Sequence, residues 1–372
     1  MKRTAIKGIC VALTVQALCL STNASYARQY SDRSSADVQQ GAVCQAPSSL
    51  SPQAASQAQQ PSNQTVPTNR YSMKLVEDGN GGYSLMYEKK YGKFIDLSGV
   101  LDLYVPYTHK NDRLSSKDYK AIPTEEYVFK KYDGYELKIA VDRAQSSVPT
   151  PVMFYCHGGG WSRGNFDASR SLSKYLAQQK GITGVRVSYS LAGQEGADVK
   201  VSVQDVLDAV AYVREHAAEL NVNPDLIGFY GTSAGGHLAA VAAMKCPQVK
   251  VLVGVSGIYD LTTAAIVQKT KDEQRIEYFD GRDAKTLADC SPYYLTNKKR
   301  CLSVLLFCGT ADATVECSQS EEFASKLKAV NKKNNVELVE YPYYDHNLSS
   351  KTSDKMEEVF FKTVDFVAEN LK

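Results

Sequence analysis

The sequence predicts an α/β fold, a mostly parallel sheet covered by helices on both faces. Short apolar runs recur from Pro151 to Tyr341 with helix-compatible stretches between them. The runs are nearly continuous rather than alternating, which is the pattern of strands buried on both sides. One of them, Leu226 to Tyr230, passes through Gly231-Thr232-Ser233-Ala234-Gly235-Gly236 into a helix-like run from His237 to Met244.

The elements follow in chain order. Lys2, Arg3 and Lys7 precede an apolar run from Ile9 to Leu20, and Ser25-Tyr26-Ala27 offers small residues at a cleavage site. This is the layout of a secretory signal peptide over residues 1–27, so the mature chain is expected to start at Arg28 and to be secreted or periplasmic. Leu18 stands before Cys19 where a lipoprotein anchor needs a small residue. Residues 28–70 are rich in Ser, Gln, Ala, Pro and Asn and are read as a disordered tether, too poor in apolar surface to offset ordering entropy. Residues 71–124 form an N-terminal extension with a turn signal at Gly79-Asn80-Gly81-Gly82 and a strand candidate from Phe94 to Val105.

The main domain is expected over residues 125–372. Tyr127 to Tyr132 and Tyr135 to Val141 flank Asp133-Gly134, a hairpin signal. Strand candidates follow at Pro151 to Cys156, Gly184 to Ser190, Leu226 to Tyr230, Lys250 to Ser256, Leu302 to Cys308 and Val336 to Tyr341. The clearest helix is Val201 to Leu220, where Val203, Val206, Leu207, Val210, Val213, Ala217 and Leu220 share one stripe. Asn223-Pro224-Asp225 is read as a break before the next strand, and a last helix as running from about Asp354 to Asn370.

Composition narrows the function. The 372 residues include 43 basic and 41 acidic side chains, a balance that excludes an electrostatic nucleic-acid binder. No stretch is long and apolar enough for a membrane span. Seven cysteines remain after Cys10 and Cys19 are removed, so at least one is free or paired elsewhere. There is no C-x-x-C pair to suggest zinc. Cys156 and Cys308 lie in apolar runs as buried small hydrophobes, and Cys290–Cys317 is the expected disulfide.

Three local patterns carry chemistry. Gly231-Thr232-Ser233-Ala234-Gly235 is G-x-S-x-G between strand and helix, which leaves Ser233 exposed on a sharp turn as a nucleophile. His157-Gly158-Gly159-Gly160-Trp161 directly follows a strand. Backbone N–H groups freed by glycines suit the charge that develops on a carbonyl oxygen during acyl transfer. Asp312 lies just beyond the strand Leu302 to Cys308, where an orienting carboxylate belongs, with Asp260 and Asp345 as rivals. Asp260 is read as a helix cap near Leu261, and Asp345 as too close to His346 to orient its ring.

The base must be one of five histidines. His157 belongs to the glycine turn, His216 to the helix from Val201, and His237 points away on the helix after Ser233. His109 lies in the extension. His346, in the loop after the last strand, is left. The order Ser233, Asp312, His346 is that of α/β-hydrolases rather than of chymotrypsin-like or subtilisin-like proteases.

With these residues the chain resembles α/β-hydrolase esterases with an HGGG oxyanion motif. They include hormone-sensitive-lipase-like carboxylesterases and bacterial acetyl-xylan and feruloyl esterases. Asn223 to Ala239, Ser256-Gly-Ile-Tyr-Asp260-Leu261 and Cys308-Gly-Thr-Ala-Asp312 look like the second group. Tyr189-Ser190-Leu191-Ala192 stands where many relatives carry Tyr-Arg-Leu-Ala, so an arginine anchor is missing. The resemblance implies an α/β-hydrolase fold with a mostly parallel sheet of about eight strands, helices on both faces and a small lid. It implies an oxyanion hole from Gly159, Gly160 and Ala234, with Gly158 a weaker donor.

Trp161 is expected to line the acyl pocket, and no metal or organic cofactor is needed. The expected function is an exported serine carboxylesterase for acetyl or feruloyl esters, small or attached to plant polysaccharide. The short stretch between Ser256 and Leu302 suggests an open pocket rather than a lipase lid. Tyr293-Tyr294 and Tyr343-Tyr344 are readable as sugar platforms or as ordinary core and rim. Alternatives are an amidase or peptidase of the same fold and a non-catalytic binding protein.

Overall fold

A computed structural model describes residues 122–350 and 355–372, together with the backbone of three upstream strands. The expected signal peptide and tether, His109, and the greater part of the extension lie outside the described residues. The chain divides into two units, Met1–Pro106 and Tyr107–Lys372. In the first, β1 (Met73–Glu77), β2 (Tyr83–Glu88) and β3 (Phe94–Asp96) pair antiparallel as a three-stranded sheet. The Gly79 to Gly82 turn signal lies outside the described residues, between β1 and β2 in the sequence.

The second unit is built on an eight-stranded sheet in the order β11-β10-β9-β8-β6-β7-β5-β4. It opens with the expected hairpin, β4 (Thr124–Tyr132) and β5 (Tyr135–Asp142), turning through Gly134 at φ +90°. The Asp-Gly turn tolerates positive φ, so it matches the strand twist. Then β6 (Thr150–Cys156), β7 (Thr183–Val187), β8 (Val222–Thr232), β9 (Val249–Val255), β10 (Ser303–Gly309) and β11 (Asn335–Tyr341) pair parallel with one another. Every residue of β7 is buried and nearly every residue of β6, β9 and β10, so both faces of the sheet centre are covered. The alternating burial of β4 and β11 belongs to the two edges.

Helices fill the connections: α1 (Arg170–Lys180), α2 (Val199–Glu215), α3 (Ala217–Leu220), α4 (Ala234–Lys245), α5 (Ala265–Gln268), α6 (Glu273–Tyr278), α7 (Ala284–Asp289), α8 (Ser318–Val330) and α9 (Met356–Asn370). Val203, Val206, Val210 and Val213 of α2 enter the core as the stripe requires. Asp198 caps α2 by accepting from the Val201 N–H. α4 is buried from Ala234 through Met244, and its alanines let it sit close to the sheet.

Three expectations change. The helix from Val201 does not run unbroken to Leu220. His216 leaves helical geometry at φ −98° and ψ 20°, and α3 restarts after it. Asn223-Pro224-Asp225 does not precede the strand but lies inside β8, as a bulge. Pairing steps from Thr150↔Val222 to Val152↔Ile227, so the bulged strand carries the proline where no ladder bond is made. Finally, Cys317 bonds Cys308, not Cys290, with the Cα atoms 5.3 Å apart. Cys308 is the last residue but one of β10 and Cys317 precedes α8, so one short loop brings them together. Cys290 is a buried free thiol, pushed up to about 11 by burial.

Candidate active site

The elbow between β8 and α4 is set by close approach of backbone. A Cβ on Gly235 would lie 2.1 Å from the Cys156 carbonyl oxygen, so only glycine lets α4 start this near β6. Ser233 sits at the tip with φ 52° and ψ −122°, a conformation rarely adopted by a residue with a side chain. Its N–H is tied to the Val255 carbonyl at 2.8 Å, which holds the strained turn to the sheet.

His346 Nε2 lies 2.9 Å from Ser233 Oγ, and His346 Nδ1 lies 2.6 Å from Asp312 Oδ2. The ionised carboxylate only accepts, so Nδ1 carries the proton and Nε2 is left to accept from the serine hydroxyl. Asp312 is itself fixed. Its Oδ1 accepts from the N–H groups of Thr314 and Val315, both at 2.8 Å, and its side chain is fully buried. The loops after β10 and β11 are tied to each other. Thr310 and Ala311 donate their N–H groups to the carbonyls of Tyr341 and Tyr344, and Thr310 Oγ1 accepts from the Tyr343 N–H. Ser256 Oγ donates to the His346 carbonyl at 3.0 Å, tying the base to the end of β9.

The rivals for these roles are engaged elsewhere. Asp260 caps its own turn, accepting from the Thr262 N–H and hydroxyl and from Tyr294. Asp345 accepts from Asn347 and Ser349 within its loop. His216 donates to or stacks on Tyr212, away from Ser233.

The glycine turn after β6 faces the elbow. A Cβ on Gly158 would be 3.4 Å from Ser233 Cβ. His157 Nδ1 donates to the Gly158 carbonyl at 2.8 Å, and burial holds the His157 imidazole below its usual range, so it stays neutral. Ser162 N–H bonds the Gly159 carbonyl at 3.3 Å. In a trans peptide the N–H points opposite to the carbonyl. Fixing the carbonyls of Gly158 and Gly159 therefore fixes the N–H directions of Gly159 and Gly160. Neither these N–H groups nor that of Ala234 donates in a loop or cap hydrogen bond among the described residues. Gly159 stands at φ +121° and a Cβ there would meet the Arg163 carbonyl at 2.0 Å, so this position admits glycine alone.

Trp161 is not a pocket wall. It is fully buried, edge-on to Phe279 with ring centres 5.0 Å apart, and its Nε1–H donates to His237 Nδ1 at 3.2 Å. The indole packs into the core because its bulk excludes water there and its one donor finds an acceptor. It anchors the glycine turn from beneath. His237 Nε2 donates in turn to the Cys290 carbonyl at 2.8 Å. Burial lowers its pKa to about 4, so it is a neutral link between the glycine turn and the end of α7. The sequence motifs containing Ser256 and Tyr189 did not disclose their contacts with His346 and His157 (Tyr189 donates to the His157 carbonyl), nor did any pattern pair Trp161 with His237, because each contact joins residues far apart in the chain.

Sheet order, elbow and Ser–His–Asp geometry together define an α/β-hydrolase. The chain belongs to the BD-FAE family, whose model matches residues 137–327. That match includes Ser233 and Asp312 and ends before His346.

The acetyl esterases of Salmonella schwarzengrund and Salmonella typhi are each 32% identical to it over 128 residues, 32% of this chain and 39% of theirs. The chain therefore spans well under half the length of the curated relatives it matches. Among solved structures, native esterase Est2 of Thermogutta terrifontis is 24% identical with a TM-score of 0.56, over 67% of this chain and 93% of Est2. Its propionate-bound form is 25% identical with a TM-score of 0.55, over 67% and 95%. Among the described residues no helix is long and apolar enough to cross a membrane.

Proposed function

We propose that the chain is a serine carboxylesterase acting on short-chain acyl esters, acetyl or feruloyl, including those carried by polysaccharide. The observation that carries this is the continuous Ser233–His346–Asp312 hydrogen-bond chain at an elbow that the glycine turn approaches, with the Gly159, Gly160 and Ala234 N–H groups not donating in a loop or cap hydrogen bond among the described residues. His346 Nε2 takes the Oγ proton as Ser233 attacks the acyl carbon, and Asp312 holds the imidazole and stabilises its cation. The N–H groups of Gly159, Gly160 and Ala234 receive the oxyanion. The imidazolium returns its proton to the leaving alcohol. Water, deprotonated by His346, then attacks the acyl-enzyme, releasing the acid and restoring Ser233.

The acetyl esterase relatives and propionate-bound Est2 support short acyl groups. The lid is made only of the short helices α5, α6 and α7, which fits an open site. The partly exposed Tyr294 is available beside Asp260 as a rim residue for a bulkier alcohol, whereas Tyr344 is buried. Export of the mature chain is supported by the basic, apolar and small-residue pattern over residues 1–27. N-terminal sequencing of the secreted product is expected to read from Arg28.

The test of activity is hydrolysis of p-nitrophenyl acetate and butyrate by the full chain beside Ser233→Ala. Loss of the nucleophile is expected to lower kcat by about 10⁴–10⁶. Equal rates in wild type and a well-folded Ser233→Ala would reject the esterase.

A further inference from the structure

Two arginines flank the oxyanion turn, and neither has a strong partner. Arg275, on the lid helix α6, lies against Gly160. The point a Cβ would occupy on that glycine is 2.9 Å from Arg275 Nη2, 3.3 Å from Cζ and 3.7 Å from Nη1. Its guanidinium comes no nearer to the carboxylate of Asp272 than 3.6 Å, at Nε, beyond hydrogen-bonding range. Asp272 is exposed and its Oδ1 caps α6. Arg275 Nε is buried without an acceptor, and neither Nη makes a hydrogen bond among the described residues. On the other side, Arg163 packs its chain on the same turn. Its Cγ is 3.2 Å from the point a Cβ would take on Gly159. Its side chain is exposed and has no ion pair among the described residues.

A guanidinium is permanently charged and presents a planar fork that matches two carboxylate oxygens. Arginines that serve as struts are normally saturated, as Arg186 is by Asp142, Asp167 and the Phe166 carbonyl. Arg275 instead leaves both terminal nitrogens without a hydrogen bond among the described residues, next to a glycine whose N–H is a proposed oxyanion donor. We propose that Arg275, assisted by Arg163, selects esters that carry a second, ionised carboxylate. This rests on the esterase reading above. The tag stays unchanged while the ester is cleaved to acid and alcohol. It resides on the acyl part or on the alcohol part, and the shared chemistry is the carboxylate.

Two matched pairs separate the sources. p-Nitrophenyl hemisuccinate against p-nitrophenyl butyrate places the charge on the acyl side. 4-Acetoxybenzoate against phenyl acetate places it on the alcohol side. The readout is the ratio of kcat/KM for the charged over the neutral member, each variant compared with wild type, so intrinsic ester reactivity cancels.

In the pair whose carboxylate reaches the turn, Arg275→Gln is expected to lower the ratio by about 10- to 100-fold. Arg275→Lys is expected to recover part of it, Arg163→Gln to lower it less, and added salt to lower the wild-type ratio. A merely structural Arg275 would reduce charged and neutral members alike and leave the ratio unmoved. An unmoved ratio in both pairs, in Arg275→Gln or in Arg275→Met should the first fail to fold, overturns the proposal. If neutral esters are still cleaved in a Ser233-dependent way, the esterase reading then stands without it. If no ester of either kind is cleaved, both fall.

Discussion

On the glycine-turn side of the site, the proposed oxyanion side, the geometry is written into the backbone. Gly159 holds φ +121° where a Cβ would collide, Gly235 admits α4 against β6, and Ser233 is held strained between them. On the acid–base side the geometry is made by bonds between distant loops. Asp312 is gripped by the Thr314 and Val315 N–H groups, His346 by Ser256, and the two loops by each other. The first half tolerates no change of residue type but depends on few partners. The second uses ordinary residues and depends on many. Substitutions in the two halves should therefore fail in different ways.

Short of losing the nucleophile itself, the largest effect is expected from Asp312→Asn. The amide keeps the shape but presents an N–H or a weaker acceptor to Nδ1, so the imidazole loses its tautomer and its charge partner. A fall in kcat of about 10⁴ with unchanged stability and little change in KM is expected. A drop in melting temperature alongside would show that the acid also holds its loop together.

Gly159→Ala probes the other half. The added methyl must displace the Arg163 carbonyl, and with it the direction of the donor peptides. A loss of about 10²–10³ in kcat is expected, as for removal of one oxyanion donor. If kcat is spared, the Gly159 and Gly160 peptides are not the donors, and Ala234 stands alone.

The difference between the halves also explains what was legible in the sequence. The elbow, the HGGG turn and the Asp-Gly hairpin announce themselves because each is a short-range backbone constraint, and only glycine satisfies it. The strands around the sheet centre are legible for the same local reason, their continuous apolar runs. Asp312 and His346 emerged only by elimination and chain order, since their positions are set by contacts across 34 and 113 residues.

Trp161 beside the turn suggests a pocket wall from sequence, whereas its direction is decided by His237 on another element. The bulge of β8 overrode a proline that reads locally as a terminator. The pairing of Cys317 with Cys308 rather than Cys290 turned on loop closure that spacing alone does not reveal.

The Trp161–His237 contact ties the oxyanion half to pH. Indole can only donate, so His237 Nδ1 must stay unprotonated. Its folded pKa of about 4 lies below the ordinary 6.5. Between those values the unfolded chain binds the extra proton, so stability is full above about pH 6.5 and falls as pH drops, levelling below about 4. The loss amounts to roughly 3 kcal/mol. Urea midpoints at pH 7 and pH 4.5 measure it. His237→Gln, which can still accept from Trp161 but does not titrate, should show a shallower acid slope. An unchanged slope would assign acid lability to the carboxylates of the other half.

The smallest effect on catalysis is expected from the Cys308–Cys317 bridge. It closes a loop of sequence separation 9 that contains Asp312. Closing so short a loop restricts the unfolded chain by about 2–3 kcal/mol. In the folded state the Asp312 side chain keeps its grip on Thr314 and Val315, and Thr310 and Ala311 keep theirs on Tyr341 and Tyr344, whether or not the sulfurs are joined. Cys317→Ser should therefore lower the melting temperature while leaving kcat within a few-fold, and reducing agent should do the same to wild type. A fall in kcat approaching that of Asp312→Asn would reverse this reading. The covalent link, and not the web of loop hydrogen bonds, would then hold the acid in line with His346. The acid–base half would prove as dependent on one constraint as the glycine half is on Gly159.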